Sequence, residues 1–423
     1  METLEKEIKP SRIQKAKMKW LLILSVIGPG IIAGTADNDA GGITTYSVAG
    51  SVFGYKMLWL LFVVTFILAV TQEMGARLGL VTGKGLAALI RENFSLKTTT
   101  FVVTITFFAN LGNVLAEYAG ISSVADIYGV PRYIAVPLAG LAIWFIVYKG
   151  SFKFVQKIFL TSSLLFFAYI VAGFLARPDL GEVFHGSFVP QVEWTPNFFY
   201  TAVAIIGTTI TAWGQFFVQS YYVDKGVAAE HMKYSRWDVI AGATWTYVVA
   251  FFIVLATSAT LHQAGIRIED AGQAALALEP LAGTFAKHLF AWGLLNASLL
   301  GLAVVSMTSA YVVTEAFGWE GRVDLKQESP AFYGIFAFCI FSAAAVMLVP
   351  NLPLINILVG SQMMNTFVLP VLFIAILTLL NKEKLMGKFK NSMVTNILSW
   401  ISVCFVVLMA STLVVMTVLH VGV

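Results

Sequence analysis

The chain has 423 residues, 58% of them hydrophobic and only 12% charged, with a net charge of +4. A soluble protein carries about 25% charged residues, so this composition argues against a soluble domain or a nucleic-acid partner and for a polytopic membrane protein. Cys339 and Cys404 both lie in apolar stretches, which argues against a disulfide framework or a thiolate metal site.

Residues 1–19 are rich in Lys and Arg, lack a signal-peptide cleavage site, and are expected to remain as a cytoplasmic tail. Beyond them, about 20 apolar residues suffice to cross a hydrocarbon core of about 30 Å. On that measure eleven segments follow. Five lie near 20–52, 56–80, 100–127, 133–149 and 155–176. Five more lie near 197–222, 238–261, 284–317, 331–349 and 353–380, and the last near 392–419. Connections after the even-numbered segments carry basic residues, such as Lys84/Arg91/Lys97 and Lys382/Lys384/Lys388/Lys390, and the alternate connections are poorer in them. This pattern predicts a cytoplasmic N-terminus and an extracellular C-terminus in a multi-pass protein of the cell membrane. Glu315 and Lys287, near segment ends, are expected to snorkel toward water.

Segment 1 contains IIAGTADNDAGGITTYSVAG, residues 31–50, with two aspartates in an apolar setting. A carboxylate there is costly and is usually functional. Paired glycines are poor helix formers, costing about 1 kcal/mol each against Ala, so the helix is expected to break at Asp39-Ala40-Gly41-Gly42. Asp39 becomes the leading cation ligand, with the Ala40 and Gly42 carbonyls beside it. Asp37 and Asn38 do not share a helix face with Asp39 and are assigned to a vestibule or proton path, together with Glu117 and Arg77. Arg77 has a local alternative partner in Glu73, one turn earlier. Segment 6, AIIGTTITAWGQFFVQS at 204–220, is interrupted in the same way. Its Thr209, Thr211 and Gln215, and Gln362 of segment 10, can offer oxygen to an ion or serve as interhelical hydrogen bonds. Segments 1 and 6 open two five-segment sets, and broken segments at matching positions point to a transport site at the midplane of an inverted repeat.

GPGIIAGTADNDAGG (28–42), TQEMGARLGLVTGKGLA (71–87), LAEYAG (115–120), LFAWGLLNAS (289–298) and GSQMMNTFVLPVLF (360–373) resemble the Nramp family of divalent-metal transporters along nearly the whole chain. The resemblance implies an all-α LeuT-type fold of eleven membrane helices. These form a 5+5 inverted repeat, residues 20–176 and 197–380, with helices 1 and 6 broken and one extra helix at 392–419. The family's Asp-Pro-Gly-Asn motif reads Asp39-Ala40-Gly41-Gly42 here. Its Met-Pro-His-Asn reads Ala212-Trp213-Gly214-Gln215, and its later His-Ser reads Gln219-Ser220.

Loss of the thioether, an amide oxygen and both histidines leaves a wider site of hard oxygen donors. Soft ligands favour transition metals, whereas Mg²⁺ keeps several waters and binds through one or two carboxylates. The expectation is a transporter or facilitator for partly hydrated Mg²⁺, with Mn²⁺ the alternative cargo, and with weak or absent proton coupling. No resident cofactor is expected. The lipid bilayer and the transported ion are the partners, and the chain is expected to be a monomer. A proton-coupled Mn²⁺/Fe²⁺ transporter and an organic-solute carrier on the same fold are the rival readings. No nucleophile–base pair with catalytic spacing is visible, so an enzyme is not expected.

Overall fold

The computed structural model describes residues 28–268, Ala275 and 284–418. The tail at 1–19 and the start of segment 1 lie outside the described residues, as does most of the connection between segments 7 and 8. The described residues form helices and connecting turns, without a strand.

Segment 1 is α1 (Pro29–Ala36) followed by α2 (Ala40–Phe53), and segment 2 is α3 (Leu58–Thr82). A short α4 (Leu86–Asn93) precedes α5 (Leu96–Ile127) and α6 (Arg132–Lys149). Segment 5 is α7 (Phe152–Ser162) and α8 (Phe167–Leu175), joined by a 3₁₀ turn, and a short α9 (Leu180–Phe188) follows. Segment 6 is split into α10 (Pro196–Thr209) and α11 (Ala212–Asp224). Then come α12 (Met232–Thr257), which closes in a π-helical turn at Ser258–His262, α13 (Thr284–Phe317), α14 (Pro330–Met347), α15 (Leu354–Leu380) and α16 (Met393–Val418). Among the described residues ten stretches are long and apolar enough to cross a membrane. One of them, Ala40–Thr82, runs through 43 residues and holds both α2 and α3. That merger accounts for the difference from the eleven expected segments.

Burial sorts the helices. The most apolar window of Pro196–Asp224 is wholly buried, whereas that of Arg132–Lys149 is 22% buried. Segment 6 is therefore the centre of the bundle and α6 part of its wall. Phe62, Leu138, Phe145 and Phe174 are exposed, as expected of a surface that faces lipid rather than water. With lipid outside, helices gain little from hiding apolar groups, and close packing through small residues takes over. At the crossing of α5, α2 and α13, a Cβ on Gly120 would run into Ser298 and Ala40. One turn away, Gly301 makes room for the Glu117 carboxylate. These contacts fix where the two helix breaks meet.

Candidate cation-binding site

Asp37 is the C-cap of α1, and Asp39 is the N-cap of α2 in extended backbone, its Oδ1 accepting the Gly42 N–H at 2.6 Å. The break is Asp37-Asn38-Asp39, not Asp39 to Gly42. Carboxylate capping satisfies N–H groups that would be orphaned in an apolar interior, and this outweighs the low propensity of Gly41 and Gly42. The expected roles of Ala40 and Gly42 are corrected accordingly. Both residues lie in the first turn of α2, and the Ala40 carbonyl accepts Thr44 Oγ1 at 2.8 Å. Their N–H groups face carboxylates instead, Gly42 toward Asp39 and Ala40 toward Glu117 Oε2 at 3.3 Å.

Segment 6 repeats the device. Thr211 is the N-cap of α11, and its Oγ1 accepts the Gly214 N–H at 3.0 Å. Asp39 with Gly42 and Thr211 with Gly214 are thus the same cap, three residues apart, in the two halves of the chain. Thr211 Oγ1 in turn donates to Asp37 Oδ1 at 2.9 Å, and Gln72 Nε2 donates to Asp37 Oδ2 at 3.0 Å. Asp37 therefore joins the two breaks rather than lining a vestibule. Glycine at 214 keeps this junction open, since a Cβ there would lie 3.1 Å from Asp37 Oδ1.

The space above Gly42 is lined by oxygen. A Cβ at Gly42 would stand 2.7 Å from Thr208 Oγ1, 3.1 Å from the Asp37 carbonyl and 3.3 Å from Asp39 Oδ1. Thr208 Oγ1, Asp39 Oδ2 and Glu117 Oε1 are buried and receive no hydrogen bond. The carboxyl groups of Asp39 and Glu117 lie within hydrogen-bonding reach of each other. Two carboxylates in contact repel unless a proton or cation sits with them. Helix ends add to the pattern. The C-termini of α1 and α10 bring their negative poles to the break, where a cation is favoured, while the N-termini of α2 and α11 are already capped.

The other expected residues divide. Gln215 is buried with neither amide atom partnered, and Asn38 Oδ1 is likewise free. Ala212 is fully buried at the first position of α11 and brings only a methyl group. Thr209 is turned away, its hydroxyl bonded to Tyr46 OH at 2.9 Å. Gln362 reaches the site with the wrong end for a ligand. Its Nε2 faces Asp39 Oδ1 at 3.4 Å, because its Oε1 accepts Asn365 Nδ2 at 3.1 Å. Asn365 is held by Asn113 through reciprocal bonds of 3.0 and 3.2 Å.

Arg77 has no part in the site. It pairs with Glu73 at 3.1 Å and donates to the Phe389 carbonyl and to Asn391 Oδ1. Glu315 does not snorkel. It turns inward to accept Ser220 Oγ at 2.5 Å and the Ala87 N–H at 3.2 Å. The residues that the sequence reading missed are Thr208 and Gln72. Thr208 lies one position from the chosen Thr209, and the phase of α10 alone separates them. Gln72 carries no local signal. Among the described residues no group of three or more His, Cys, Asp or Glu could hold a metal ion, so the donors on offer are carboxylate, hydroxyl, amide and carbonyl oxygens.

A family model described as natural resistance-associated macrophage protein-like, or Nramp, matches residues 30–416. The chain belongs to the Nramp family. A divalent metal cation transporter, MntH, from Caldanaerobacter subterraneus subsp. tengcongensis is 25% identical over 404 residues, covering 93% of each chain. The crystal structure of a manganese transporter from Eremococcus coleocola superposes with a TM-score of 0.77 at 19% identity, over 96% of this chain and 90% of that one. The structure of MhsT in complex with L-phenylalanine gives 0.58 at 13% identity, over 92% and 98% of the two chains. Both structural likenesses speak to the fold, which is the LeuT-type arrangement expected for an Nramp protein. The relatives are named as transporters, and none of these names denotes an enzyme.

Proposed function

We propose that this Nramp protein carries divalent metal ions across the membrane, with partly hydrated Mg²⁺ as its preferred cargo and with weak or absent proton coupling. The observation that carries this reading is the cluster of oxygens around Gly42, namely Thr208 Oγ1, the Asp37 carbonyl and Asp39 Oδ1, with Thr208 Oγ1, Asp39 Oδ2 and Glu117 Oε1 buried and unpartnered. A hard, strongly hydrated cation suits an all-oxygen set, and Gly42 and Ala212 bring no side-chain ligand of their own to displace its waters. In this reading Asp39 is the anchor and Gln215, whose buried amide has no partner, meets a water ligand. The orientation that fits the basic connections has the N-terminus in the cytoplasm. The potential then contributes about 4.6 kcal/mol per 100 mV to the entry of a divalent ion.

A second reading, proton-coupled Mn²⁺ transport, is favoured by Glu117 standing against Asp39 and by the names of the relatives. Proteoliposome uptake separates the two. Mg²⁺ entry abolished by Asp39→Ala, without acidification of the lumen, supports the first reading. Mn²⁺ entry that excludes Mg²⁺ and acidifies the lumen establishes the second.

A further inference from the structure

The segment joining α15 to α16 carries Lys382, Lys384, Lys388 and Lys390 against a single acid, Glu383. Between it and α16 lies a cavity of 760 Å³ with two chemically distinct zones. Lys390, Asn391 and Asn396 form the end near the connecting segment, while Ile397, Ile401 and Cys404 continue along α16. Their spacing of four and three residues puts these last three on one helix face.

The polar end is built rather than incidental. Arg77, whose side chain is 5% exposed, donates to the Phe389 carbonyl at 3.0 Å and to Asn391 Oδ1 at 2.7 Å. That fixes the Asn391 amide, whose Nδ2 donates to Asn396 Oδ1 at 2.9 Å. Asn381 and Asn396 bond reciprocally at 2.9 and 2.8 Å. The second hydrogens of Asn381 and Asn391 go to the Leu377 carbonyl and to Met74 Sδ, which leaves the second hydrogen of Asn396 Nδ2 for a phosphate oxygen to accept. Lys390 pairs with Glu383 at 2.9 Å, but Glu383 is 77% exposed, and such surface pairs exchange readily for a better anion.

We propose that this cavity binds one anionic phospholipid, with its phosphate on Lys390 and the Asn396 amide and an acyl chain along Ile397, Ile401 and Cys404. The excess of lysines selects a negative headgroup, as basic clusters beside membrane helices do. The apolar strip distinguishes a lipid from free phosphate. Arg77 thereby acquires a role as the residue that holds the headgroup end in shape, and the site does not depend on which ion is transported.

Cys404 provides the reporter, because it is exposed while Cys339 is buried. In detergent, dioctanoyl-phosphatidylglycerol should slow maleimide alkylation of Cys404 about fivefold, the effect of one lysine beside an anionic headgroup. Dioctanoyl-phosphatidylcholine and glycerol phosphate should leave the rate unchanged. Lys390→Glu should abolish the protection with an unaltered rate in the absence of lipid, and Glu383→Gln, which frees Lys390, should strengthen it. Equal protection by phosphatidylcholine, protection by glycerol phosphate alone, or protection that survives Lys390→Glu would each overturn the proposal.

Discussion

Asp238 of α12 accepts the Gly30 N–H of α1 at 2.7 Å, and with it the N–H groups of Gly28 at 3.1 Å and Ile31 at 3.3 Å. Tyr222 of α11 donates to the same carboxylate at 2.7 Å. One buried side chain thus ties the first half of segment 1, the second half of segment 6 and α12 together. The helices meet backbone to backbone. A Cβ on Gly30 would lie 2.6 Å from the Val239 nitrogen, and Thr246 Oγ1 donates to the Gly34 carbonyl at 2.5 Å. Gly28 has a φ of 145°, a conformation that favours glycine.

Asp238→Asn keeps the shape and removes the charge that these donors share. A hydrogen bond to a charged group contributes about 1.5–3 kcal/mol. We therefore expect deuterium exchange in residues 28–36 to rise about tenfold or more, with a smaller rise for Tyr222→Phe. Unchanged exchange would show that the glycine crossing alone holds α1 in place.

Gly42→Ala should reduce transport at least about tenfold, since its methyl enters the space between Thr208 Oγ1 and the Asp37 carbonyl, where an added group costs about 1–3 kcal/mol. Thr208→Val keeps the volume and deletes the hydroxyl oxygen, and should raise the apparent KM for Mg²⁺ while leaving thermal stability unchanged. Thr209→Val should spare KM, because that hydroxyl is bonded to Tyr46. Equal effects at positions 208 and 209 would place the ion elsewhere.

Asn365→Leu removes the donor that turns the Gln362 oxygen away from Asp39. Gln362 can then rotate and present oxygen to the cation. A lower KM for Mg²⁺ together with a normal fold is the expected result, and adding Gln362→Leu to Asn365→Leu should remove the gain. A KM that stays low in the double mutant contradicts the orienting role of Asn365.

Lys225, just beyond α11, has its ammonium pushed down to about 8 by burial, against the opposing pull of Asp238. The folded state therefore binds fewer protons than the unfolded state between about pH 8 and the ordinary value of 10.5. Stability rises with pH wherever the unfolded chain holds more protons. The melting temperature in detergent should accordingly gain over this interval, and Lys225→Met should flatten the gain. A fall in the wild type that Lys225→Met removes would reverse the sign assigned to this lysine.

Much of this protein was legible in its residues one by one. Long apolar runs predicted the membrane helices, because hydrocarbon leaves the backbone no partner except itself. Carboxylates amid those runs marked segment 1, and segment 6 carries a matching interruption. The position of the break is also written in the residues, since an aspartate three residues before a glycine can cap a helix, and capping outweighs the low propensity of Gly41 and Gly42.

Tertiary structure alone decided the rest. Thr208 and Thr209 are neighbours in sequence, yet one hydroxyl faces the oxygen-lined space and the other Tyr46, a difference set by how α10 is rotated against α2. Gln362 offers its nitrogen because Asn365, one turn on in the same helix, is itself held by Asn113 of α5 and fixes its flip. Asp37 became central because Thr211 and Gln72 converge on it from distant segments. Local sequence carries helix period and cost of burial; which polar atom ends up facing which depends on the packing of several helices at once.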